Sequence, residues 1–200
     1  MTYSYEQHDD VIASDGPTPS QTVGPFFHDA LPYDGGPRLA GVDRAGAITL
    51  SGRVLDGEGT PIPDALVEIW QADEQGRLES DGVHGEVAAG GFRGFGRCAT
   101  DVDGGYAFRT VKPGAVATVD GRRQAPYVAM SVFARGLLQR VVTRVYFDDE
   151  PTANAADPLL AAVAPDRRST LIATGVDGGY RFDVRVQGVD ETVFLDVLAL

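Results

Sequence analysis

Cysteine is almost missing from this 200-residue chain: Cys98 stands alone, which excludes an intrachain disulfide framework and fits a reducing compartment. Basic charge is short as well. Lys and Arg total 17 against 29 Asp and Glu, a formal net charge of -12, whereas a general nucleic-acid binder needs clustered cations for its phosphate contacts. No apolar run nears the roughly 20 residues of a membrane span. The start M-T-Y-S-Y-E-Q-H-D-D shows no basic-then-apolar leader pattern, so the sequence reads as cytoplasmic. The three histidines, His8, His28 and His84, have no ligand-like spacing and read as surface or interface residues. G-x-S-x-G, H-E-x-x-H, C-x-x-C and phosphate-loop patterns are all absent. The turn at Asp101 to Gly104 resembles a calcium loop only superficially, because Gly105 and Lys112 stand where that loop needs oxygen ligands.

What is present has two textures. The first 45 or so residues hold Pro17, Pro19, Pro25, Pro32 and Pro37 with Gly16, Gly24, Gly35 and Gly36 between them. Proline removes backbone donors and glycine lowers local order, so this stretch reads as an extended arm. Adjacent Phe26 and Phe27 are poorly suited to free solvation, which favours an arm packed on something over a disordered one.

From Ala47 onward the pattern is β. Ile48, Leu50 and Val54 lie at even spacing with Thr49, Ser51 and Arg53 between them, as a strand with one buried face requires. Further strands are predicted at Ala65 to Ala72, Phe95 to Thr100, Tyr106 to Val111, Tyr127 to Ala134, Leu137 to Phe147, Thr170 to Thr174, Tyr180 to Val186 and Thr192 to Val197. V-D-G-G-Y occurs at Val102 and again at Val176, each time as a turn launching a strand through a glycine with positive φ. One short helix is predicted after Asp157, a cap followed by Pro158 at the first position. Residues 82–94 read as a glycine-rich loop, Cys98 as a small buried hydrophobe, and Asp148-Asp149-Glu150 as a solvated turn. The fold class expected is mainly β, an antiparallel sandwich with an extended N-terminal arm and little helix. Its domain organisation is an arm over residues 1–46 and a sandwich over 47–200, one structural domain overall. On the residues alone this supports a binding module or scaffold, such as a transthyretin-like sandwich, as readily as an enzyme subunit.

Several motifs in order shift that balance. T-P-S-Q-T-V-G-P-F (Thr18 to Phe26), V-E-I-W-Q-A-D (Val67 to Asp73), F-R-T-V-K-P-G (Phe108 to Gly114), S-V-F-A-R-G (Ser131 to Gly136), T-R-V-Y-F-D-D-E (Thr143 to Glu150) and R-V-Q-G-x-x-E-T-V-F (Arg185 to Phe194) resemble the intradiol ring-cleavage dioxygenases. Within that family they resemble the subunit that carries no iron in two-chain members.

The resemblance implies ferric iron held by two tyrosines, whose hard phenolate oxygens suit a trivalent ion, and by two histidines that complete the site. At the matching positions this chain has Leu78, Val116, Tyr127 and Ala129, and an arginine of the pattern is replaced by Gln124 beside Arg122 and Arg123. The chain is therefore expected to bind no metal, with its former pocket closed by apolar packing. The Fe(3+) is expected in a beta-type partner subunit, on which the arm packs. The resemblance also implies that Thr22, Gly24, Pro25 and Arg135 line the active site at the subunit interface, with Arg135 orienting the carboxylate of a substituted catechol. The alternative for Arg135 is an ordinary ion pair. The implied reaction inserts both atoms of dioxygen between the hydroxyl-bearing carbons of 3,4-dihydroxybenzoate, in aromatic catabolism.

Overall fold

The even spacing of Leu50 and Val54 builds β1 (Ala47–Leu55), and both side chains are fully buried. This strand organises half of the molecule. It runs antiparallel to β4 (Gly105–Val111) along seven residue pairs, parallel to β8 (Gly179–Arg181), and farther along parallel to β9 (Val184–Arg185). With β7 (Ile172–Val176) beyond β8, this half has the order β7-β8-β1-β4. The other half is β3 (Phe95–Ala99), β2 (Leu66–Gln71), β5 (Val128–Phe133) and β6 (Val141–Phe147), all antiparallel. The computed structural model describes residues 22, 24, 26–78, 87–118 and 121–196. Among these, no helix is long and apolar enough to cross a membrane.

Both halves feed one core. Val67, Ile69, Met130 and Val132 come from one side and Leu50, Val54, Phe108 and Phe182 from the other. The halves join where β6 and β7 pair through Tyr146↔Ile172 and Phe147↔Ala173. That pairing is parallel, as are those of β1 with β8 and β9, so the sheet is mixed and not the antiparallel one expected. The reason lies in the connection. Two short helices, α2 (Pro151–Ala156) and α3 (Pro158–Ala162), and a 3-10 turn over Pro165–Leu171 separate β6 from β7, a crossover long enough to deliver the next strand in the same direction.

Local turn chemistry follows the sequence closely. Gly104 and Gly178 of the two V-D-G-G-Y turns take φ of 71° and 73°. Asp157 caps α3 through the N–H groups of Leu159 and Leu160. Two expectations need correction. Phe26–Ala30 is a short helix, α1, called the N-terminal helix below, where an extended arm was predicted. Residues 192–196 form no ladder, although Leu195 N–H donates to Val142 O at 2.7 Å. Within the stretch read as arm, Leu39 and Ala40 are buried in this chain's own core, donating to Arg109 O while Arg109 N–H donates to Pro37 O.

Candidate functional site

The W-Q-A-D motif uses its polar members to fix backbone. Gln71, 1% exposed, donates Nε2 to the carbonyls of Val111 and Ala72 at 2.9 and 3.1 Å, and accepts from Thr110 Oγ1 at 2.8 Å. Asp73 closes the following turn, accepting from the N–H groups of Gln75 and Arg77 and from Arg77 Nε. Burial alone would raise its carboxyl pKa, but these backbone and guanidinium bonds hold it below the ordinary value. The turn needs Gly76 at φ 80°, and a Cβ there would come within 2.3 Å of Ala115 O. Residues 114–115 thus dock on the turn that carries Leu78, and Val116 O accepts from Gln124 N–H at 2.8 Å. Backbone contacts thereby gather the three segments carrying Leu78, Val116, and Tyr127 with Ala129.

What stands at those four positions does not fit ferric iron. Leu78, Val116 and Ala129 have no donor atom. Tyr127 has one, but the Arg144 guanidinium lies over its ring, 3.9 Å from the centroid. Arg144 is the register partner of Ala129 on β6. A fixed cation at this place opposes a trivalent one. The expected apolar closure is corrected in the same stroke: Leu78 is 61% exposed, and charge, not hydrocarbon, covers Tyr127. Among the described residues no three His, Cys, Asp or Glu side chains come together as a metal site. The Cys98 thiol, half-buried on β3, is pushed up in pKa by burial and packs against the core, as a small hydrophobe does. Asp149 and Glu150 are no mere solvated turn. They hold Lys112 Nζ at 2.8 and 2.7 Å over the rings of Phe147 and Tyr180, tying the end of β4 to the turn after β6.

Of the substrate-side candidates, Arg135 lies two residues beyond the end of β5. Thr22 is exposed and Gly24 half-buried; Pro25 lies outside the described residues, as do His8 and His84. Immediately after them Phe27 stacks on Phe133, centroids 5.4 Å apart, and Phe133 ends β5 two residues before Arg135. His28 Nε2 donates to the Thr100 carbonyl at 2.9 Å. Thr100 Oγ1 accepts from Ala65 N–H and donates to Ile62 O, which fixes the backbone on both sides of Asp64. Asp64 Oδ2 in turn lies 3.3 Å from Arg135 Nε. The N-terminal helix and Arg135 are thus linked through Thr100 and Asp64, and the structure brings the helix that follows Thr22 and Gly24 to the Arg135 end of the sheet. Arg135 does form an ion pair within the chain, yet its side chain remains 67% exposed. No motif singles out Asp64, whose P-I-P-D context reads only as a turn.

His28 makes this end pH-sensitive. Its pKa is raised above 6.5, first by the Thr100 carbonyl, then by Asp29 on its own helix at 3.1 Å, with Asp64 of the turn before β2 adding to the effect. Only the imidazolium donates from both nitrogens. A raised pKa contributes stability that is complete below about pH 6.5 and lost as pH climbs through the higher folded value. Amide protection over residues 26–30 is expected to fall above neutral pH, and His28→Ala to remove that dependence; hydrogen exchange at pH 6 and pH 8.5 measures it.

A mainly β fold of this kind has counterparts among known proteins. A family described as Dioxygenase matches residues 23–188, and the chain belongs to it, within the intradiol ring-cleavage dioxygenases. It is similar to the protocatechuate 3,4-dioxygenase alpha chain of Burkholderia cepacia, 44% identical over 90% of this chain and 97% of that one. The beta chain from the same organism is 35% identical over 72% of this chain and 66% of its own length. Among solved structures, the dioxygenase domain of a dioxygenase carbohydrate-binding fusion from Streptomyces sp. SirexAA-E matches with a TM-score of 0.58, covering 76% of this chain and 88% of that one. At 24% identity that likeness concerns the fold.

Proposed function

We propose that this chain is the alpha subunit of a cytoplasmic protocatechuate 3,4-dioxygenase, an assembly that converts 3,4-dihydroxybenzoate and O2 to 3-carboxy-cis,cis-muconate in the beta-ketoadipate pathway. The observation that carries the reading is the likeness along nearly the whole of an alpha chain, combined with ligand positions that offer no set of metal donors. The Fe(3+) belongs to the beta subunit, and this chain contributes a wall of the active site at the interface. Residues ahead of the N-terminal helix pack on that partner, presenting Thr22 and the backbone at Gly24 and Pro25 to the substrate. Arg135 meets the substrate carboxylate; its exposed guanidinium makes no hydrogen bond among the described residues, so its donors are available.

Oxygen uptake with protocatechuate is expected only when both subunits are present, with iron recovered from the beta chain. Uptake of stoichiometric ferric iron by the isolated alpha chain, with the visible absorption of a phenolate complex, would sink the assignment. In the assembled enzyme, Arg135→Ala is expected to raise the protocatechuate KM by roughly 10- to 100-fold, the worth of a charged hydrogen bond, at unchanged iron content. Unaltered steady-state kinetics would remove Arg135 from the site.

A further inference from the structure

We propose that Asp64 is a positioning residue that acts through Arg135, keeping that arginine's grip on carboxylates weak enough for the product to leave. The inference rests on the reading of Arg135 given above. The two side chains approach to 3.3 Å through Arg135 Nε, but they form no hydrogen bond, and neither makes another among the described residues. Such a contact orients the guanidinium little; what remains is charge. Asp64 is only 21% exposed and the backbone on both its flanks is fixed by Thr100, so its carboxylate is carried beside the arginine.

The chemistry makes that charge consequential. The substrate brings one carboxylate. Cleaving the bond between the two hydroxyl-bearing carbons and adding one oxygen atom to each turns both carbons into carboxyl groups, and the two protons that the hydroxyls carried ionise to solvent. The product therefore carries three carboxylates. An arginine suited to the first ion would hold the second more tightly still. A resident carboxylate beside the same guanidinium repels each incoming charge, and therefore penalises the product more than the substrate. His28, which faces Asp64 from the N-terminal helix, is the nearby cation that would soften this effect at low pH.

The test uses the assembled alpha–beta enzyme, with Asp64→Asn as a near-isosteric neutral variant. At low ionic strength the product inhibition constant is expected to fall about tenfold and the protocatechuate KM about threefold. Both effects should shrink in 0.5 M salt, where the Debye length is only a few ångströms, and Asp64→Glu should restore the parent values. In an Arg135→Ala background, where no guanidinium draws the carboxylates towards Asp64, Asp64→Asn should change product inhibition by a smaller factor than in the parent. A product constant that is unaltered or weaker in Asp64→Asn, while Arg135→Ala still raises KM, overturns the role of Asp64 alone. If Arg135→Ala leaves KM unmoved, the reading of the arginine fails first and takes this one with it. A structural role for Asp64 would instead lower the melting temperature, with no salt dependence of inhibition.

Discussion

Replacing Asp157 with alanine is expected to destabilise the chain by about 4 kcal/mol, lowering its melting temperature by roughly 10 °C. The carboxylate is fully buried, and four donors converge on it. Oδ1 accepts from the N–H groups of Leu159 and Leu160 and from Tyr146 Oη, while Oδ2 accepts from Ala125 N–H at 2.9 Å. Alanine leaves all four without their acceptor, and an unpaired buried donor costs about 1–3 kcal/mol. Asparagine separates the roles. It keeps the oxygen that caps α3 but sets an amide donor against Ala125 N–H, so it is expected to lose about half as much. Thermal melts of the two variants measure the difference; equal losses would mean that the Ala125 contact, and not the helix cap, carries the whole effect.

Gly52→Ala is the second large effect. A Cβ at this position of β1 would stand 1.7 Å from the Phe182 carbonyl oxygen and 2.9 Å from Tyr106 Oη. Those two groups are hydrogen-bonded to each other, so neither can retreat freely. The segment between β8 and β9 must lift from β1, at a cost of about 3 kcal/mol or more. Denaturant titration should show a strongly lowered midpoint. Gly175→Ala serves as the control, since its nearest neighbour is a side-chain oxygen of exposed Asp148 at 3.4 Å; a change within about 1 kcal/mol is expected there. Similar losses at both sites would show that general backbone stiffening, and not the close approach at Gly52, is responsible.

The residues that declared themselves in sequence are those whose structure is decided locally. Asp157-Pro158 is a cap and a first helical residue, and it starts α3. By contrast α2 went unseen, because Glu150 at its start makes no side-chain capping bond that a sequence pattern could announce. Alternation from Tyr180 to Val186 correctly separates the buried set of Tyr180, Phe182 and Val184 from exposed Arg181 and Asp183. It missed the break between β8 and β9, where Phe182 O is taken by Tyr106 Oη and Asp183 Oδ1 by Arg53 N–H. Periodicity reports which face is buried; it carries nothing about which strand lies alongside or in which direction. The mixed sheet was illegible for that reason. Of the candidate site, Arg135 and Thr22 were visible only through the family's motifs. Asp64 was not visible at all, since its partner lies far along the chain, and Arg144 over Tyr127 depends on a register between β5 and β6 that no local pattern encodes.

That stacked arginine has a historical consequence. Ligand side chains could be written back at Leu78, Val116 and Ala129 one codon at a time, yet the guanidinium would still sit on the one phenol already there. Each restored donor would meet a resident positive charge before it met an ion. Building a metal site here would therefore take a change at Arg144 as well as at the three donorless positions, so it cannot be reached through those positions alone.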